Sequence, residues 1–313
     1  MPTLKEMSHR PERLTGGHRL CAGCGASIAV RQVLQGTTED VVVGCATGCL
    51  EVATTIYPFT AWKTPFIHNA FENSAATISG VESAFRTLQR KGKIPMSKDV
   101  KFVAWGGDGG TYDIGIQSLS GALERGHNMV YVCYDNEAYM NTGIQRSSAT
   151  PLCASTNTAP AGSCSVGKAQ FRKDLTMVVA AHHIPYAAQA SIGFWNDLVK
   201  KAEKAFAVEG PAFLLVLAPC PRGWGFPNDK AVEIGKLAVD TCFWPLYEVE
   251  NGVFRLTRKV PDAKKKPVEE WLRSQTRFSH LFKPGCEGWV EKIQKHTDEE
   301  WARYLEMDGK KIF

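Results

Sequence analysis

Two spacings of apolar residues alternate along the chain. Short runs at 41–43, 101–105, 129–134, 186–189 and 212–217 are almost wholly apolar. Runs this short and continuous read as strands buried on both faces. Helical spacing, with apolar residues three and four apart, occupies 26–35, about 113–125, 173–183 and 194–208. Strand, glycine-rich turn, helix and strand follow one another, which predicts an α/β fold: a parallel sheet flanked by helices. The two ends break the pattern. Residues 1–20 are polar and basic, with His9, Arg10, Arg13, His18 and Arg19, and read as an irregular extended arm leading into Cys21. Beyond 240 come an apolar stretch from Trp244 to Val249, a hairpin turn at Asn251-Gly252, a lysine-rich linker near 261–267 and amphipathic helices. The expected division is therefore 1–240 as the α/β domain and 241–313 as a C-terminal extension. The stretch 147–167, rich in Ser, Thr, Ala, Pro and Gly without period, reads as a functional or mobile loop.

Composition narrows this only slightly. A chain of 313 residues, 44% hydrophobic and 22% charged, is ordinary for a soluble globular protein. The net charge of +5 gathers in Lys200-Lys201, Lys264-Lys265-Lys266 and Lys310-Lys311, which read as solvated surface, and nothing in it calls for nucleic acid. The N-terminus lacks the apolar core of an export signal. No run approaches the roughly 20 apolar residues of a membrane span. A cytoplasmic location follows as the expectation, where disulfides are rare and ten cysteines point instead to metal or catalysis.

The chemistry begins where the 101–105 strand turns into a helix, at Gly107-Asp108-Gly109. Glycines let an anion approach the backbone, and a helix start offers free N–H groups. Asp108 is a hard oxygen ligand suited to Mg²⁺. Asn136 stands 28 positions later at the end of the next strand, and adjacent parallel strands deliver their C-terminal ends side by side. A Gly-Asp-Gly followed about 28 residues later by Asn resembles the thiamine diphosphate motif shared by transketolase-like, decarboxylase and oxoacid oxidoreductase families. The resemblance implies that Asp108, Asn136 and the Ala138 carbonyl hold Mg²⁺, and that Gly107, Gly109, Gly110 and Thr111 line the diphosphate.

Cys21-x-x-Cys24 fits zinc, an iron–sulfur cluster or a redox dithiol equally well. Two further ligands are needed, and Cys45, Cys49 and Cys220 all lie at strand ends. Spacing does not choose between Cys45 and Cys49. Cys133 sits within an apolar strand and reads as core, whereas Cys153, Cys164, Cys242 and Cys286 have no partner spacing. Longer strings then carry a more specific resemblance: GHRLCAGCG at 17–25, ATGCLE at 46–51, YPFTAW at 57–62, IHNAFEN at 67–73, WGGDGGTYD at 105–113, YDNEAYMNTG at 134–143 and WPLYE at 244–248. Together they resemble the β subunit of the pyruvate:ferredoxin oxidoreductases, the 2-oxoacid oxidoreductases of anaerobes.

That resemblance implies a [4Fe–4S] cluster on Cys21, Cys24, Cys49 and Cys220, close to thiamine diphosphate. It also implies contacts to the cofactor from Thr47, Gly48, Tyr139, Asn141 and Thr142, with Asn141 reaching the reacting end as the catalytic candidate. The implied reaction is oxidative decarboxylation of pyruvate to acetyl-coenzyme A and CO₂, with electrons passing through the cluster to ferredoxin. The same subunit design serves 2-oxoglutarate, branched-chain oxoacids, indolepyruvate and oxalate, the last without coenzyme A. Glu51, Glu72 and Glu137 cannot be assigned as the glutamate that activates thiamine, and no Cys-x-x-Cys-x-x-Cys run is present. A pyrimidine-binding α subunit, a γ subunit and a ferredoxin-like subunit or domain are therefore the expected partners, with 241–313 packing on them. A zinc-stapled binding module is the non-catalytic rival.

Overall fold

The computed structural model describes residues 3–162 and 165–313, so Cys164 lies outside the described residues. The strands are β1 (Asp40–Ala46), β2 (Phe66–Asn69), β3 (Val100–Gly107), β4 (Val130–Asp135), β5 (Ala161–Gly162), β6 (Ser165–Val166), β7 (Tyr186–Ser191), β8 (Ala212–Leu217), β9 (Tyr247–Glu250) and β10 (Val253–Leu256). Eight of them form one sheet in the order β10-β9-β7-β8-β4-β3-β1-β2, and β5–β6 is a separate small hairpin. From β7 to β2 every pairing is parallel, while β9 runs antiparallel to both β7 and β10. Strands β4, β7 and β8 are buried along their whole length, as expected for strands covered on both faces.

The helices Gly25–Leu34 and Trp195–Ala207 pack on each other, as do Ser74–Arg90 and Ile116–Glu124. Helix Trp195–Ala207 buries Leu198, Val199, Ala202, Ala205 and Phe206 on its apolar stripe. The arm is less extended than its composition suggests: Leu4–Ser8 is a short helix with a Thr3/Glu6 capping box. Arg13 then pins the arm to the domain by donating to the carbonyls of Leu34, Thr37 and Glu39.

Three further points differ from expectation. The helix anticipated from Asp113 begins earlier, because the chain coils directly after Asp108 into a wide π-type turn, Gly109–Ile114, closed by the Gly115 amide on the Gly110 carbonyl. Strand β2 and helix Ser74–Arg90 have no counterpart in the sequence reading. The first part of the 147–167 loop is built into the core, with Ser147, Ala149, Thr150, Leu152, Cys153 and Ala154 all buried.

After 240 the chain stays on the same sheet. The β9–β10 hairpin turns at Asn251 and Gly252, both with positive φ, as its sequence predicts. Helix Glu287–Met307 returns over it, and Tyr304 stacks on Phe254 and Tyr247. No helix among the described residues is long and apolar enough to cross a membrane.

Candidate cofactor site

Strand order places the candidate residues before any side chain is considered. In the run β8-β4-β3-β1, β8 leads to Cys220, β4 to Asn136, β3 to Asp108 and β1 to Thr47-Gly48-Cys49. All four strands are parallel, so these residues share the carboxyl edge of one sheet, where ligands of open α/β sheets bind.

Asp108 is fully buried. Its carboxylate accepts the Asn136 amide at 3.3 Å and the Ser147 hydroxyl. The inward-facing oxygen of the Asn136 side chain stands 3.0 Å from Asp108 Oδ1 and 2.9 Å from the Ala138 carbonyl. Turned over, the same amide donates its N–H groups to those two oxygens, which suits the ion-free protein. With its oxygen turned inward instead, Asn136 would stand beside Asp108 Oδ1 and the Ala138 carbonyl at the spacing of cation ligands. Adjacent ligands of octahedral Mg²⁺ at roughly 2.0–2.1 Å lie about 2.9 Å apart. The residues present therefore fit the ion.

The charge balance agrees. Asp135 and Glu137 are also fully buried, and each faces an arginine: Arg172 reaches Asp135 at 3.0 Å and Arg277 pairs with Glu137. Asp108 has only neutral donors. Burial, and then the nearby Asp135, push its carboxyl well above the ordinary range. A buried carboxylate left without a protein cation is a position that a metal ion completes.

Above this floor lies a shallow cleft lined by Thr47, Gly48, Gly107, Gly109, Gly110, Asn136, Ala138, Tyr139, Asn141 and Thr142, together with Cys49, Phe71, Tyr134 and Met140. Ten of the anticipated cofactor contacts thus face one space. Gly109 keeps it open, since a Cβ there would stand 2.4 Å from the Tyr139 ring. Thr47 is held at the rim by the Asn69 carbonyl at 3.1 Å and His68 Nε2 at 3.0 Å. Asn141 and Thr142 are exposed at the mouth, Thr142 bonding Gln145 at 2.6 Å. Thr111 is placed differently. Its hydroxyl turns down to the Gly107 carbonyl at 2.7 Å and the Tyr131 hydroxyl at 3.0 Å, so its side chain braces the turn instead of lining the cleft.

The Cys21–Cys24 loop is pressed against the Cys220 turn. The Gly25 amide donates to the Pro219 carbonyl at 3.2 Å, and Gly23, at φ 74, passes so close to Asn228 that a Cβ would sit 1.8 Å from its carbonyl oxygen. Cys21, Cys24, Cys49 and Cys220 consequently feel one another. Burial raises the Cys49 thiol to about 12, with Cys220, Cys24 and Cys21 adding to it, and burial with Cys220 and Cys21 raises Cys24 to about 11. Cys45 lies apart, wholly buried, with burial and then Glu51 pushing its thiol up. Cys133 is core, as its strand position predicts. Among the described residues no three His, Cys, Asp or Glu side chains converge on a single ion; a four-iron cluster is wider than an ion and its thiolates stand farther apart.

Several supports were invisible in the sequence. Thr150 donates to the Glu137 carbonyl at 2.6 Å, Trp224 Nε1 to the Asn136 carbonyl at 2.7 Å, and Tyr112 to Asp135 at 2.8 Å. Glu137 itself is sealed beneath the cleft by Arg277 and Arg172.

Residues 43–216 match the family model described as "Thiamine pyrophosphate enzyme, C-terminal TPP binding domain". The pyruvate synthase subunit PorB of Thermotoga maritima is 53% identical over 97% of this chain and 94% of its own length. The subunit of the same name from Methanocaldococcus jannaschii is 54% identical over 93% and 96%. A solved 2-oxoglutarate:ferredoxin oxidoreductase from Magnetococcus marinus superposes with a TM-score of 0.54 at 19% identity, over 72% of this chain and 79% of that one, a likeness of fold. With its thiamine pyrophosphate-binding domain and its identity to these relatives along nearly the whole sequence, the chain belongs to the PorB family of 2-oxoacid:ferredoxin oxidoreductase subunits.

Proposed function

We propose that this chain binds thiamine diphosphate through Mg²⁺ on Asp108, Asn136 and the Ala138 carbonyl, and a [4Fe–4S] cluster on Cys21, Cys24, Cys49 and Cys220. In this reading it serves the oxidative decarboxylation of pyruvate to acetyl-coenzyme A and CO₂, with electrons leaving through the cluster to ferredoxin. The observation that carries it is that Asp108, Asn136 and the Cys49 and Cys220 turns share one sheet edge, with the Cys21–Cys24 loop packed against the Cys220 turn. Pyruvate is favoured because relatives at 53% and 54% identity are named pyruvate synthase subunits.

When bound, thiamine diphosphate supplies the nucleophilic carbon for a 2-oxo group and the sink for the electron pair left by CO₂. The chain's own residues hold and shield it. The backbone at Gly107, Gly109 and Gly110 leaves room for the diphosphate, and the Asp108 charge is neutralised by the ion instead of by a proton. Thr47 and Tyr139 flank the cleft, and the Asn141 amide at its mouth is free to hydrogen-bond substrate. Glu137 is paired below the floor and Glu51 is engaged by Thr55 and His68, so neither is free for the activating role. A pyrimidine-binding partner subunit completes the site, other subunits carry the electrons onward, and exposed Tyr57 and Phe59 beside β2, with the outer face of 241–313, offer docking surfaces.

The test is anaerobic purification of the assembled complex, with iron, sulfide and thiamine measured and oxoacids assayed with and without coenzyme A. Cys49→Ser should lose iron, whereas Cys45→Ser should retain it. Zinc without iron or sulfide would sink the cluster; iron lost in Cys45→Ser but kept in Cys49→Ser would show the ligand set to be wrong. Coenzyme A-independent oxidation of oxalate would overturn the substrate.

A further inference from the structure

Between the two proposed sites lies a link that belongs to neither ligand set. Arg277 comes from the C-terminal segment, in the turn Thr276–Phe282. It is buried, and its guanidinium donates to Glu137 Oε2 and, at 2.7 and 2.9 Å, to Gln275 Oε1. The same guanidinium lies 4.0 Å from the centre of the Trp224 ring. Glu137 separates the two proposed Mg²⁺ ligands Asn136 and Ala138, and it holds φ 65, a left-handed conformation that side chains rarely adopt without external support. Trp224 closes the Cys220 turn, its backbone N–H donating to the Cys220 carbonyl at 2.9 Å, while its indole N–H donates to the Asn136 carbonyl at 2.7 Å.

One planar cation therefore touches both turns. We propose that Arg277 is a positioning residue for both cofactor sites at once. Its ion pair fixes the pitch of Asn136-Glu137-Ala138, and its stacking on Trp224 fixes that turn against the one bearing Cys220. The inference rests on the two-site reading above. Arginine suits the task because one rigid fork can pair with a carboxylate edge-on and stack on an indole face-on, whereas lysine offers a point charge only. The segment that supplies it lies outside the matched 43–216 domain, so the C-terminal extension reaches into the site through this side chain.

The test uses the assembled oxidoreductase, reading thiamine diphosphate Kd at saturating Mg²⁺, iron content, the electron paramagnetic resonance line shape of the reduced cluster, and Tm. Arg277→Met should weaken thiamine diphosphate binding by about tenfold, the lower end of what such supporting contacts to metal ligands are worth, and alter the line shape at unchanged iron content. Arg277→Lys should recover most of the affinity, because Glu137 regains a cation, but not the line shape, because nothing planar stacks on Trp224. A lowered Tm with wild-type Kd and line shape in Arg277→Met would overturn the proposal, since that is what a merely structural residue gives. If Arg277→Met does not assemble, Arg277→Lys decides: a near-wild-type Kd with an altered line shape at full iron content supports the proposal, and a wild-type line shape overturns it. A wild-type complex without iron or thiamine binding would instead refute the two-site reading itself.

Discussion

Asp108 differs from Asp135 and Glu137 in one respect that decides its chemistry: no arginine reaches it. In the ion-free protein its charge is opposed by burial and then by Asp135, against the hydrogen bonds from Ser147 and Asn136. Asparagine has the same shape and no charge to bury. Asp108→Asn is therefore expected to stabilise the ion-free protein, by on the order of 1 kcal/mol, while abolishing the rise in Tm that the proposed site predicts for the wild type with Mg²⁺ and thiamine diphosphate. Thermal unfolding with and without the ion and cofactor measures both. A variant that is still stabilised by Mg²⁺ would remove Asp108 from the ligand set.

Among the elements, the junction of β7 and β9 shows how charge closes the sheet after its parallel part ends. Glu248 on β9 accepts from Tyr186 of β7 and from Lys204, both at 2.7 Å. Burial would raise its carboxyl, but the hydrogen bonds from Lys204 and Tyr186 outweigh it and hold the group below its ordinary 4.5. A lowered folded value means stability that is present above pH 4.5 and lost as pH falls through the folded value. Glu248→Gln should thus cost about 1 kcal/mol at pH 7, with the difference from wild type vanishing in more acid solution. A gap that persists undiminished at the acid end would assign the loss to packing. The same scale shows what the sequence makes legible. Strand β8 falls on the expected 212–217 because a strand covered on both faces writes its length as an apolar run. Helix Ser74–Arg90 is not legible because its buried face is Ser74, Ala75, Ile78, Ser79 and Glu82, too small and polar to mark a stripe. Edge strand β2, half exposed, left no run either. At the site, Gly107-Asp108-Gly109 and Asn136 are legible because one βαβ unit fixes their spacing. Arg172 and Arg277 are not: they meet Asp135 and Glu137 across 37 and 140 residues, and only the folded sheet brings them there.

For the molecule as a whole, what matters is where the cleft opens. Its mouth carries the exposed Asn141 and Thr142. Beyond β1, on the loop leading to edge strand β2, Tyr57 is 93% and Phe59 78% exposed, with Val52 and Ile67 also open to solvent. Aromatic side chains left this bare are costly in water and are the residue types that anchor protein interfaces. Both stand on the segment that follows the Cys49 turn. Replacing both with serine removes apolar area that the isolated chain never buries, so its Tm should stay within about 0.5 kcal/mol equivalent of wild type. Assembly should suffer far more: two interface anchors at upwards of 1–2 kcal/mol each weaken association by roughly a hundredfold. Sedimentation of the co-expressed subunits across a dilution series reads this directly. Dissociation of Tyr57→Ser/Phe59→Ser complexes at concentrations where the wild type stays whole would place the partner on this face. Complexes that survive the same dilution would move the partner elsewhere, leaving the outer face of 241–313 as the surface to probe next.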